Sequence, residues 1–206
     1  FEASKTGLFS AHLSATWFDS RIDDWIIWLP TIKGFFSPRN MKSVHAYGVE
    51  LNGDASLTPS HDWKFDINAS YSWTPSINVG EKLSEADMSV GKQLPYVPRH
   101  SASASLRAAW RGWAFLYKCH YYSERFTMTS NASTLTGNLP AYSISNISLE
   151  KTLRFFANRT TQNVQRKTFD VKLKLAVNNI FNVEYLSVLS RPMPGTNLEA
   201  FIALSW

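Results

Sequence analysis

The chain has 206 residues, 44% hydrophobic, 14% aromatic and 18% charged, with 21 Lys and Arg against 16 Asp and Glu for a formal charge of +5. No run of about 18 apolar residues occurs, which excludes a transmembrane helix, and the basic residues are scattered except around residues 159–172, which argues against a nucleic-acid face. The single cysteine, Cys119, excludes an internal disulfide, and no C-x-x-C or zinc spacing is present. Many aromatics without long apolar runs suit a soluble all-β domain and equally a membrane β-barrel, whose hydrophobicity is spread over alternate residues. The chain opens Phe1-Glu2-Ala3-Ser4, with no initiating Met and no basic or apolar leader, so residue 1 is expected not to be where the gene begins.

Nine strands are predicted, near 1–6, 9–28, 41–56, 61–75, 98–110, 112–126, 141–154, 168–180 and 197–206. In the second, Phe9, Ala11, Leu13, Ala15 and Trp17 oppose Ser10, His12, Ser14 and Thr16, and a phase slip near Phe18 and Asp19 suggests a bulge. Residues 63–74 alternate without a fault, their apolar face running from Trp63 to Trp73. That length approaches the 9 to 11 or so residues a tilted strand needs to cross a bilayer, with Trp where interface girdles belong. Ala102, Ala104, Leu106, Ala108 and Trp110 form the next face, and Trp113, Phe115, Tyr117, Cys119 and Tyr121 the one after it, joined through Arg111-Gly112 as a tight hairpin. Phe169, Val171, Leu173, Leu175 and Val177, then Leu198, Ala200, Ile202, Leu204 and Trp206, complete the series. The segments 41–56 and 141–154 alternate poorly.

The connections alternate in length. Residues 5–7, 57–60 and 111–112 are short, 155–167 is medium, and 29–40, 77–97, 127–140 and 181–196 are long, as in outer-membrane barrels with short periplasmic turns and long external loops. Nine is an odd count, and single-chain bacterial barrels have even ones. Two open edges in lipid would also leave rows of unsatisfied backbone groups. Either the count is off by one or the chain is part of a barrel whose first strand lies elsewhere, and without further strands such a sheet is not expected to be stable alone.

Residues 40–51, Asn-Met-Lys-Ser-Val-His-Ala-Tyr-Gly-Val-Glu-Leu, resemble the "N-x-x-x-V-x-x-x-G-V-E" strand of TonB-dependent outer-membrane transporters, with Asn40, Gly48 and Glu50 at its fixed positions. Residues 178–185, Asn-Asn-Ile-Phe-Asn-Val-Glu-Tyr, are similar to that family's "N-L-F-[DN]-x-x-Y", placing Asn179, Phe181 and Tyr185. Arg191-Pro-Met-Pro194-Gly195 and a final strand ending in Trp206 are similar to its "R-P-x-P-G-R" and terminal assembly signal, with Thr196 where the family often has Arg. The block at residues 9–28 is similar to its "F-x-x-x-I-x-D-x-I" strand. The resemblance implies the last nine strands of a 22-stranded barrel, with the plug domain, TonB box and signal peptide absent from residues 1–206. It implies active uptake, at the bacterial outer membrane, of a large scarce nutrient such as an iron chelate, a cobalamin or a glycan. The partners it implies are the remaining strands and plug, a TonB-type energising protein acting through the plug, outer-membrane lipid and, optionally, a surface lipoprotein. No cofactor and no nucleic acid are implied.

In such proteins substrate capture falls to external loops and upper lumen residues. Lys33 with Phe35 and Phe36, Tyr96 with Arg99, Tyr122 with Arg125, and Tyr185 with Arg191 combine aromatic and cationic groups that could grip a large, flat or anionic ligand. The competing reading makes strand-top aromatics such as Trp25, Trp28, Tyr121 and Tyr122 membrane girdle. Lys64, Asp66, Arg107, Lys118, His120, Asp170, Lys172 and Lys174 are expected to face the lumen, solvated or paired. His12 and His120 share that register without ligand spacing. The carboxylates Asp23 and Asp24 have no partner base, and no Gly-x-Ser-x-Gly or phosphate loop occurs, so the chain is not expected to be an enzyme. A small self-closed porin and a soluble ligand-binding barrel are the alternatives.

Overall fold

The computed structural model describes residues 2–5, 8–30, 33, 35–82, 84–156 and 168–205. The strands in chain order are β1 (Glu2–Lys5), β2 (Phe9–Pro30), β3 (Phe36–Ser60), β4 (Trp63–Trp73), β5 (Ser76–Asn78), β6 (His100–Trp110), β7 (Trp113–Tyr122), β8 (Arg125–Phe126), β9 (Asn138–Leu139), β10 (Tyr142–Phe156), β11 (Thr168–Asn178), β12 (Leu186–Val188), β13 (Arg191–Pro192) and β14 (Asn197–Ser205). Nine of them form one antiparallel meander in the order β1-β2-β3-β4-β6-β7-β10-β11-β14, with β5 beside β3. Each long strand pairs with its neighbours in the chain, as the sequence predicts. Among the described residues β1 pairs only with β2 and β14 only with β11, so the sheet has two open edges.

Register partners share a face, so a row can be followed across the sheet. One row runs Ala11, Ala55, Ile67, Leu106, Tyr117, Ile147, Val177, Leu198. The adjacent row runs His12, Asp54, Asn68, Ser105, Lys118, Asn146. The first face is apolar and exposed. The second is concave, with a hollow of about 360 Å³ lined by Asn52, Asp54, Asn68, Ser70, Ser103, Ser105, Lys118 and His120. Trp63, Trp110 and Trp113 are successive partners at the end of the short turns, and Trp17 and Trp73 lie toward the other end. From Trp63 to Trp73 the chain advances about 33 Å at roughly 3.3 Å per residue. At a tilt near 40–45° this spans about 24 Å, close to the height of a barrel's apolar band.

Several expectations change. The β2–β3 connection is not residues 29–40 but 31–35, because the two strands pair in unbroken register from Phe9↔Leu57 to Pro30↔Phe36. The suggested bulge at Phe18–Asp19 is absent for the same reason; the local irregularity is Asp24, at φ 55°. The alternation slips there because the ribbon continues past the Trp17 level. Beyond that level no apolar face is needed, yet the hydrogen-bond ladder persists. The strand expected at 61–75 is β4, and a short strand not expected, β5, follows it on the same register against β3, with Thr74 and Pro75 between them. Pro75 cannot donate to the ladder. The long connection beyond β7 contains the β8–β9 pair. Residues 157–167 and Trp206 lie outside the described residues.

The two-residue turn of β6–β7 has Arg111 at φ 43° and Gly112 at φ 78°. Positive φ at both positions marks a type I′ hairpin, which suits the strand twist. Arg111 tolerates this conformation in a position held by two hydrogen bonds donated to Asp62 Oδ2, at 2.9 and 2.8 Å, from the neighbouring β3–β4 turn. Lys151 leans over the Trp113 ring at 4.6 Å and donates to the Arg111 carbonyl at 3.2 Å. The hydrogen bonds from Arg111, and its charge, hold the Asp62 carboxyl below its usual range against an opposing effect of burial. A depressed carboxyl stabilises the fold above its unfolded value, and the gain is lost as pH falls through the folded value. Asp62→Asn is therefore expected to lower denaturant resistance at pH 7, and the deficit is expected to shrink as acid protonates the Asp62 carboxyl of the parent. A difference that does not change with pH would show that the pair contributes nothing.

Candidate functional site

The concave wall neutralises most of its own charge. Asp66 receives Ser56 at 2.9 Å and pairs with Lys64 at 3.0 Å and Arg107 at 3.5 Å. Arg154 pairs with Asp170 at 3.0 Å, Lys174 with Glu150 at 3.5 Å and His12 with Asp54 at 3.4 Å. Ser70 and Ser103 hydroxyls meet at 2.7 Å. Lys118 and His120 line the hollow itself. This is a polar surface of paired charges and small hydroxyl and amide side chains.

Above it, the row Thr16, Glu50, Ser72, Ser101, Tyr122, Tyr142 forms the upper rim of the polar face. Tyr122 therefore points inward and is not girdle, whereas Tyr121 lies on the apolar face. The connections at 79–99, 123–141 and 179–196 and the β2–β3 ribbon leave from this end. Residues 79–99 fold back over β3: Leu94, 2% exposed, packs on Val44, 1% exposed, on the inner-face register. Gln93 accepts the Ser76 N–H at 3.0 Å through its side chain. Gly48 makes the turn of β4 into β5 possible. A Cβ there would overlap the Trp73 carbonyl oxygen and come within 3.2 Å of the Phe18 ring.

The structure re-sorts the predicted aromatic and cationic residues. Tyr185 meets Tyr142 in a tilted contact at 4.6 Å and Tyr122 meets Tyr142 at 5.5 Å, with Arg125 over Tyr142 at 5.0 Å. Tyr142 is thus the centre of the cluster, and only its inward parity in the chain hinted at that. Arg191 lies over Phe36 at 5.8 Å, not over Tyr185, which ties the β2–β3 ribbon to the last long connection. Tyr96, at φ 62°, sits beside Arg125 rather than Arg99, and burial pushes its phenol up from the ordinary value. Arg99 is exposed, its carbonyl accepting from Thr74 at 2.8 Å. Lys33 and Phe35 are exposed near the ribbon tip.

The Asn179 segment is a staple. Asn179, at φ 50°, donates its N–H to Asn146 at 2.8 Å, and its side-chain amide exchanges hydrogen bonds with Val183 at 2.9 and 2.8 Å. Thr196, which replaces an expected Arg, donates its hydroxyl to the Asn179 carbonyl at 2.7 Å and its N–H to Asn182 at 3.0 Å. A Cβ on Gly195 would lie 2.5 Å from Asn182 Oδ1, and the Pro194 carbonyl accepts from Asn179 at 3.4 Å. Entry and exit of the connection are so drawn together. Phe181 is left exposed at its surface, and Asn40 lies on the ribbon. Between this staple and Tyr142 is a cleft of about 660 Å³, lined by Tyr142, Tyr185, Glu184, Asn182, Pro192 and Met193 among others.

A family model described as "TonB dependent receptor-like, beta-barrel" matches residues 3–180. The chain belongs to that family. The sheet of this receptor is a segment of a transmembrane antiparallel β-barrel. Among solved structures, the receptor chain is similar to the copper transporter OprC, with 17% identity and a TM-score of 0.57 over 97% of this chain and 30% of that one. It is similar to the ferric-catecholate import receptor Fiu from K12 E. coli, with 16% identity and a TM-score of 0.58 over 94% of this chain and 24% of that one. It is similar also to BauA, the ferric preacinetobactin receptor from Acinetobacter baumannii, with 13% identity and a TM-score of 0.56 over 97% and 27%. The receptor chain thus spans 24–30% of the length of these proteins. No curated protein sequence matches it.

Proposed function

We propose that residues 1–206 form the C-terminal wall and external loops of a bacterial outer-membrane transporter that takes up a large, scarce nutrient such as an iron chelate, a cobalamin or a glycan. The observation that carries the reading is the open nine-strand meander, apolar on one face and polar on the other, with the connections at 79–99, 123–141 and 179–196 all at one end. Two unpaired edges support a wall completed by further strands, to 22 in all, around a plug. That plug is the part a TonB-type protein pulls in the proposed cycle, and a surface lipoprotein is an optional outer partner. The neighbours named as copper, ferric-catecholate and ferric preacinetobactin proteins favour a metal chelate over a glycan. In the proposed capture step the substrate enters over Phe35, Phe36, Tyr122 and Tyr185, whose rings supply stacking surface. Lys33, Arg99 and Arg191 line the approach with positive charge.

The test uses cells carrying the full-length receptor. Labelled iron chelates and cobalamin are offered with and without an intact proton gradient. Energy-dependent accumulation of one of them is expected, reduced about ten-fold by Tyr185→Ala, the loss of one good stacking contact. Uptake that survives collapse of the gradient would instead mark a passive pore.

A further inference from the structure

The cleft beside Tyr142 has fixed walls. Its volume of about 660 Å³ lies within the range that holds one small organic molecule. Tyr142, Tyr185, Leu186, Pro192 and Met193 give it an apolar lining. The segment carrying Glu184 is held on both sides: Val183 exchanges hydrogen bonds with the Asn179 side-chain amide at 2.9 and 2.8 Å, and the Leu186 carbonyl accepts from Arg125 at 2.8 Å. The Met193 N–H donates to the Tyr185 carbonyl at 3.1 Å, which joins the facing wall to the same segment. A site built this way has its shape before anything enters it, so little ordering offsets the contacts that a bound molecule makes.

The charges around it are sorted by sign. Of the residues that line the cleft Glu184 alone is charged, and it is exposed, in no salt bridge among the described residues. The two nearby cations are committed elsewhere. Arg191 lies over the Phe36 ring at 5.8 Å. Arg125, only 6% exposed, lies over Tyr142 at 5.0 Å and gives its terminal nitrogens to the carbonyls of Leu186 and Ser187, so its charge stays inside the wall. An entering group therefore meets a carboxylate and the Tyr185 ring, and both a carboxylate and the negative face of an aromatic ring attract positive charge. An anion in the same place would find no partner and would face Glu184. We infer that the cleft is a subsite for a compact apolar group bearing a positive charge, an arylalkyl amine in its ammonium form, with Glu184 selecting the charge and the tyrosines the flat body. The inference rests on the uptake reading above and names a substrate class within it: a solute that also meets Lys33, Arg99 and Arg191 on the approach is amphoteric, anionic at one end and basic at the other.

Purified full-length receptor in lipid nanodiscs, titrated by ligand-observed NMR with tryptamine, 3-ethylindole and indole-3-propionate, tests it. The three probes share one ring and differ in charge, and empty nanodiscs give the baseline. Tryptamine is expected to bind about five-fold more tightly than 3-ethylindole, the upper value for one partly solvated ion pair, and indole-3-propionate more weakly than either. Glu184→Gln, isosteric and at an exposed position, is expected to erase the advantage of tryptamine and to leave 3-ethylindole unchanged. Equal affinity for tryptamine and indole-3-propionate in the parent, a tryptamine advantage that survives Glu184→Gln, or no binding above that of empty nanodiscs each overturns the subsite. Chelate uptake by energised cells is read separately. A receptor that shows the Glu184-dependent preference but accumulates no chelate refutes the uptake reading and keeps the binding site, and the reverse result refutes the subsite alone.

Discussion

Gly48→Ala is expected to abolish assembly of the folded barrel, or to destabilise it by about 3 kcal/mol or more, at the severe end for a single methyl. Gly48 is buried where β4 stops and the chain crosses through Thr74 and Pro75 into β5. The atoms a methyl would meet are backbone, the Trp73 carbonyl oxygen and its carbon at 3.0 Å, so no side-chain rotation relieves the overlap. Relief requires β4 to move off β3, which breaks the Val49↔Trp73 end of the ladder and the Tyr47 N–H to Pro75 bond. Gly53, on the same strand, is the control. A Cβ there meets the flexible Leu13 side chain at 3.4 Å and the His12 carbonyl oxygen at an ordinary 3.8 Å, and Gly53→Ala is expected to be near neutral. Heat-modifiable migration of both variants decides the matter. Equal behaviour would mean the Trp73 crossing is not a fixed part of the wall.

The second large effect separates the faces. Ile67 is 51% exposed, about midway between Trp63 and Trp73 on the apolar face, and Asn68 follows it on the polar face beside Ser105. For a wall that crosses the outer membrane, as proposed, Ile67→Arg is expected to cost about 2–4 kcal/mol, the penalty for arginine near the bilayer midplane. Asn68→Arg places the same charge in the hydrated lumen and should cost less than about 1 kcal/mol. Denaturant unfolding from lipid vesicles measures both. A comparable loss at Asn68 would reverse the assignment of faces.

How much of this was legible in the chain depended on whether lipid was there to enforce a pattern. Residues 63–74 and the turn at Arg111-Gly112 read correctly because an apolar belt demands strict alternation and a two-residue hairpin demands positive φ. The stretch 141–154 read poorly because Ser143 and Ser145 occupy the apolar face. Their hydroxyls are satisfied sideways, by Cys119 Sγ at 3.3 Å and Tyr117 Oη at 2.9 Å. The ribbon of β2 and β3 was read short because, beyond Trp17, no apolar belt enforces alternation and part of the inner face is covered by residues 79–99 at Val44. At the mouth the residue types were legible and their pairing was not. Arg125 sits near Tyr122 in the chain but is fixed by Leu186 and Ser187, about sixty residues on. Contacts between loops follow from the closeness of strand ends across the sheet, which no local pattern encodes.

The two tight turns, at residues 61–62 and 111–112, have a role beyond joining strands. A slip of one residue between neighbours would expose itself by turning apolar side chains inward. A slip of two keeps every face correct and passes that check. The turns remove the slack such an error needs: Arg111, locked to Asp62, cannot surrender a residue to either strand. Alignment is thus decided at one end of the wall, and the opposite end is left free to gain, lose or exchange residues over generations without the strands ever losing count.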